Sequence, residues 1–128
     1  MARWNYYNRG DRYSEWHRQF EGIAMIDVDS VECCKTCYEP LAVIETAMDK
    51  GGQHKAYTLV KKIADKMQIP GFVVLYTVNG EQITQFRIKR VSPEVSKTYR
   101  IAEPDLWLSW LRSLQGNCKS CNTTDIEW

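Results

Sequence analysis

Four cysteines stand in two Cys-x-x-Cys pairs, Cys34 and Cys37 in "CCKTCYEP" and Cys118 and Cys121 in "GNCKSCN". Two thiolates at this spacing grip one Zn²⁺ from the same side of a tight turn, and a second pair completes a tetrahedron. Because the pairs lie far apart along the chain, the site would be a clasp tying the C-terminal tail to an early hairpin. A closed four-thiolate site keeps no open position for water, so its role would be structural. The same residues admit two other chemistries: free or redox-active thiols, and disulfides, which a reducing compartment disfavours. Pro40, just after the first pair, argues against the helix that a redox Cys-x-x-Cys ordinarily opens. Cys33, the odd cysteine, reads as a small buried apolar residue.

A second group is acidic. Asp27 and Asp29 lie in "AMIDVDSVE" and Glu45 in "PLAVIETA". The first stretch alternates as a strand does, and the second returns after the cysteine turn. A hairpin centred near Cys37 would therefore set Asp29 opposite Glu45 on one face. Converging carboxylates are what a hard cation such as Mg²⁺ or Mn²⁺ requires. The plainer alternative is a half-exposed hairpin with solvent-facing acids, although like charges facing each other across strands repel unless a cation lies between them.

The elements that must carry these groups can be read from periodicity. A short helix is expected from Tyr13 to Phe20, with Ser14 as cap and Gly22 as stop. Strands follow in "IAMIDVDSVECC" and "PLAVIETA", and a helix over Gln53–Gln68 has an apolar stripe of Ala56, Leu59, Val60, Ile63 and Met67. The nearly all-apolar "PGFVVLYTV" suggests a central strand, turned by Asn79-Gly80 into "EQITQFRIKRV". "EPDLWLSWLRSLQGN" predicts a last helix with Pro104 in its first turn, an apolar body of Leu106, Leu108, Trp110, Leu111 and Leu114, and Gly116 as stop. The expected architecture is α/β: a small mixed β-sheet flanked by helices, with a structural four-cysteine zinc clasp. The 128 residues, 44% hydrophobic and 26% charged, suit a single domain. Its parts would be an N-terminal arm (1–12), a core (13–115) and a tail (116–128) carrying the second cysteine pair.

With no apolar run of about 18 residues, and a polar, aromatic N-terminus, the expectation is a cytoplasmic protein, neither secreted nor membrane-bound. A net charge of +1 excludes a polycation that coats nucleic acid indiscriminately. Local charge differs. Arg3, Arg9, Arg12 and Arg18 are interleaved with Trp4, Tyr6, Tyr7, Tyr13 and Trp16, and Arg87, Lys89, Arg90, Lys97 and Arg100 cluster in "FRIKRVSPEVSKTYR". Basic residues among aromatics suit phosphate contact with base stacking; an ordinary solvated face with half-buried aromatics fits the same pattern.

The order "SEWHR", "MIDVDSVE", "AVIETA", "QHKAY" resembles the PD-(D/E)XK nuclease superfamily, especially small phage-encoded members of unknown role. The resemblance, which covers about residues 13–78, implies a restriction-endonuclease-like core and Mg²⁺- or Mn²⁺-dependent phosphodiester hydrolysis on nucleic acid, with DNA favoured. For a phage-encoded chain, the compartment would be the host cytoplasm. It assigns Asp29 or Asp27 as the first metal ligand and Glu45 as the second, with Gln53 and Tyr57 as a Gln-x-x-x-Tyr motif on one helical face. Where the family carries a lysine two residues after the Glu, this chain has Ala47, and Lys50 or Lys55 would have to reach the same volume. Glu15 and His17 could face the site from the first helix, although His17 also reads as a surface histidine, and His54 is expected to be exposed. The alternative function is a catalytically inactive nuclease-fold protein that binds a protein partner, such as a host defence complex.

Overall fold

A five-stranded mixed sheet carries the candidate residues. The computed structural model describes residues 12–25, 30–51 and 55–124. Its elements are α1 (Arg12–His17), β1 (Ser30–Cys33), β2 (Pro40–Met48), α2 (Thr58–Met67), β3 (Gly71–Asn79), β4 (Gln82–Ser92), β5 (Arg100–Ala102), α3 (Pro104–Gln115) and α4 (Lys119–Thr124). Strand order follows chain order, β1-β2-β3-β4-β5. Neighbours are antiparallel except β2 and β3, whose parallel pairing needs a crossover, supplied by α2. No helix among the described residues is long and apolar enough to cross a membrane.

Burial explains the composition of the strands. β2 and β3 are covered on both faces, so Leu41–Ile44 and Val73–Leu75 are continuous buried runs. β4 is turned back by Gly80 and Glu81; only the glycine has positive φ (67°), the pattern of a II′ hairpin. Beneath α2 lies a core of Val43, Val60, Ala64, Val73, Leu75 and Val91. The helix approaches closely because Gly71 has no side chain: a Cβ there would lie 2.9 Å from that of Ala64. On the opposite face Phe72 packs edge-on to Trp110 and Trp107 of α3, at ring separations of 4.8 and 5.9 Å.

Several boundaries differ from those expected. α1 is shorter, Arg12–His17. The first strand begins, among the described residues, at Ser30; Ile23 and Met25 are exposed and lie outside it. α2 starts at Thr58, its first turn closed by Lys61 N–H donating to the Tyr57 carbonyl, so residues 55–57 precede the helix. β5 and α4 were not anticipated. In α3 the stripe turned toward the sheet is Trp107, Trp110, Leu111 and Leu114, spaced i, i+3, i+4, i+7, with Leu114 buried and the others half-buried, whereas Leu106 and Leu108 lie off it and are exposed.

Candidate functional site

The cysteine cluster is assembled from two local turns. β1 ends at Cys33, and the chain folds back with Cys34 N–H donating to the Glu39 carbonyl (2.8 Å) and Tyr38 N–H to the Cys34 carbonyl (2.9 Å). Tyr38 takes a left-handed conformation, φ 65°, to close this knuckle. From the other end, α3 stops at Gly116 and delivers Cys118, with Cys121 in the first turn of α4. The Cys34 and Cys121 sulfurs are 3.4 Å apart, those of Cys37 and Cys118 3.5 Å, and all four lie within 4.8 Å of one another. The five cysteines form no disulfide among the described residues, and the four-cysteine cluster can hold a metal ion.

Its electrostatics favour a cation. N–H groups of Cys37 and Thr36 directed at the sulfur pull the Cys34 thiol down to about 6, while the Cys37 and Cys34 sulfurs push the Cys121 thiol up. Four thiols meeting at one point cannot all ionise unless a positive charge joins them. Gln115 locks the two turns together: its Nε2 donates to the Cys33 carbonyl (2.9 Å), and its Oε1 accepts from Lys35 N–H (3.0 Å). No feature of the sequence marks that glutamine. Cys33 is only half-buried and outside the cluster, rather than fully buried as expected.

The carboxylate end lies on the α2 face of the sheet, in two cross-strand rows. One row is Glu45, Val73, Lys89; the next is Ala47, Leu75, Arg87. Lys55, arriving just before α2, brings its Nζ to 3.4 Å from Glu45 Oε2; the Glu45 side chain is only 15% exposed. Lys89 Nζ stands over the Tyr57 ring (5.3 Å) and the Tyr99 ring (5.7 Å), and the Arg87 guanidinium lies 4.9 Å from the Tyr99 centroid. Arg87 also forks onto Asp49, with contacts of 2.7 and 3.1 Å, while Gly51 N–H donates to the same carboxylate at 2.9 Å. The arginine, and secondarily that N–H, hold the Asp49 carboxyl below the usual range; Asp49 in turn raises Arg87.

The structure thus brings Glu45 and Lys55 together. Lys50 is exposed in the segment after β2. The β1–β2 pairing begins, among the described residues, with Ser30 opposite Ile44 and Val31 opposite Val43. Asp27, Asp29, Gln53, His54, Arg3 and Arg9 lie outside the described residues. Tyr57 is the residue before α2, packed against the core beneath Lys89, so it does not form part of a helical Gln-x-x-x-Tyr face. Residues 55–57 precede the helix, and from there Lys55 meets Glu45.

Arg12 and Arg18 are exposed beside an aromatic ladder, with Tyr13–Trp16 at 5.7 Å, Tyr13–His17 at 6.0 Å and Trp16–Phe20 at 5.1 Å. His17 is half-buried against Tyr13, and Glu15 is exposed. Lys89 and Arg90 do not form one basic surface, because successive strand residues point to opposite faces. Lys89 belongs to the Glu45 row, whereas Arg90 pairs with Phe72 on the α3 side. Sequence reasoning missed Asp49 and the structural use of Arg87, whose partnership spans the sheet. Comparison with protein-family models, curated proteins and solved structures finds no match.

Proposed function

We propose that this chain is a zinc-clasped, nuclease-like domain that hydrolyses phosphodiester bonds in nucleic acid, with DNA the favoured substrate. The observation that carries the reading is the 3.4 Å contact between Lys55 and Glu45. In the PD-(D/E)XK pattern a lysine two residues after the glutamate shares its site; here that position is Ala47, and an ammonium reaches the same carboxylate from the segment before α2. Glu45 fits as one oxygen ligand of a hard cation, being a largely buried carboxylate beside cationic side chains rather than a freely solvated one. With Asp27 or Asp29 it would hold Mg²⁺ or Mn²⁺, which when bound supplies Lewis-acid charge and acidifies water. Lys55 offsets the negative charge that grows on the phosphate, and Lys89 offers a second positive charge to the strand being cut.

Zinc is the ion that suits the cysteine cluster. In a tetrahedral site with Zn–S distances of about 2.3 Å, sulfurs lie about 3.8 Å apart, and the closest pairs here stand at 3.4 and 3.5 Å. Glu45→Gln tests the catalytic reading: it should abolish Mg²⁺- or Mn²⁺-dependent cleavage of single-stranded, double-stranded or branched DNA, or of RNA, while zinc content and melting temperature stay unchanged. Failure of the parent protein to cut any of these sinks the enzymatic reading. A protein that binds without cutting is the second reading. The same ion pair favours it, since Lys55 already neutralises the charge a cation would use.

A further inference from the structure

On the sheet face opposite Glu45, α3 and strands β3–β5 line an open cavity of about 410 Å³. Its apolar wall is aromatic: Trp107 and Trp110 are stacked at 4.9 Å and 15°, and Phe72 abuts both. Its charge comes from Arg90 and Arg100. Arg100 pairs with Ile88, two residues before Arg90 on β4, so the two arginines are diagonal neighbours, about 7–8 Å apart at the backbone. No acidic residue lines the cavity, and among the described residues neither guanidinium has a carboxylate within ion-pair distance. Both side chains are exposed, and together they put positive potential at the cavity with no acidic side chain lining it, which an anion can use.

We propose that this cavity binds a nucleoside monophosphate, free or as the phosphorylated end of a strand, with its base among Phe72, Trp107 and Trp110 and its phosphate between Arg90 and Arg100. The size fits, since small-molecule pockets run from roughly 300 to 1,000 Å³. Charge selects the class: a phosphate monoester carries about −1.5 to −2 near neutral pH, matching two guanidiniums, where an aromatic carboxylate carries only −1. Guanidinium forks match phosphate oxygens bidentately, and aromatic walls accept any planar base. The site is independent of the Glu45 centre, from which the sheet separates it.

The test is calorimetric titration of the full chain with adenosine 5′-monophosphate, adenosine, inorganic phosphate, and a short single-stranded DNA with a 5′-phosphate or a 5′-hydroxyl. Saturable binding of the monophosphate is expected, at least about tenfold tighter than adenosine or phosphate alone. Arg90→Gln and Arg100→Gln, both at exposed positions that leave the fold standing, should each weaken it about tenfold or more. Glu45→Gln should leave it unchanged, so failure of the nuclease reading and failure of this one are separable. If the 5′-phosphorylated strand binds tighter than the mononucleotide through the same arginines, the source is a strand end; otherwise it is the free nucleotide. The proposal is overturned if the monophosphate does not bind at millimolar concentration, if phosphate alone binds as tightly, or if neither arginine variant alters the affinity.

Discussion

Removing the ion from the cysteine clasp should destabilise the whole domain, and the structure gives the size of the effect. The cluster joins residues 81 apart through Cys37 and Cys118, and 87 apart through Cys34 and Cys121. Treated as a single cross-link closing a loop of that length, the clasp restricts the unfolded chain by about 4.5 kcal/mol. A small domain is stable by only about 5–15 kcal/mol, so the loss is a large fraction of the total. It is felt beyond the turns, because Leu114 and Cys118 pack with Leu41 and Ala42 of β2 in the same buried cluster. For a chain of this length the melting temperature should fall by roughly 15 °C.

The assay is thermal unfolding followed by circular dichroism, with metal content measured on the same samples, for parent protein, chelator-treated protein, Cys34→Ser and Cys121→Ser. The parent should carry about one ion per chain, and the three perturbed samples should melt together at the lower temperature. Cys33→Ser is the control, since Cys33 lies outside the cluster and should keep both ion and melting point. A metal-free protein that melts like the loaded one would refute the reasoning, as would a Cys33→Ser variant as damaged as Cys34→Ser.

Lys55→Ala should lower any Mg²⁺-dependent cleavage by about a hundredfold or more, in line with loss of one electrostatic contact to the transition state, while Lys50→Ala should not; single-turnover rates distinguish them. The Asp49–Arg87 pair should make stability acid-sensitive. Asp49 has a folded pKa below its unfolded value of about 4, so its contribution is complete above that value and is lost as pH falls through the lowered one; urea unfolding of Asp49→Asn should show a smaller loss on acidification than the parent. Deleting residues 1–12 should weaken nucleic-acid binding and flatten its dependence on salt, without lowering the melting temperature of the core.

What was legible in the sequence was local. A Cys-x-x-Cys pair declares itself within four residues, and the long apolar runs of β2 and β3 announce strands covered on both faces. The α3 stripe was legible too, but its phase requires counting from Trp107. Gathering every apolar residue of the helix instead put Leu106 and Leu108 in the core, although both are exposed. The Asp49–Arg87 fork had no local signal: its partners come from the end of β2 and from β4, which become near neighbours only once β3 is inserted between them. The start of α2 was misread for the opposite reason. Gln53 and Tyr57 have helical spacing, but Tyr57 packs on the core from a pre-helical position.

That shift in the helix start bears on the role proposed for Lys55. Ala47 packs against the Val43–Leu75 core, beside Leu75 and one row from Glu45, so a lysine there would have to carry its ammonium out past buried valine and leucine. Lys55 avoids this cost by entering from the solvent side, where its own side chain is 37% exposed and its partner glutamate 15%. Ala47→Lys should therefore destabilise the domain by about 1–3 kcal/mol, the usual cost of forcing extra methylenes into a packed site. It should not raise cleavage above the parent, since two ammonium groups would compete for one carboxylate. The opposite result, an Ala47→Lys protein that is as stable as the parent and cuts faster, would mean that Lys55 does not fill the proposed catalytic role and that its contact with Glu45 only neutralises an idle acid.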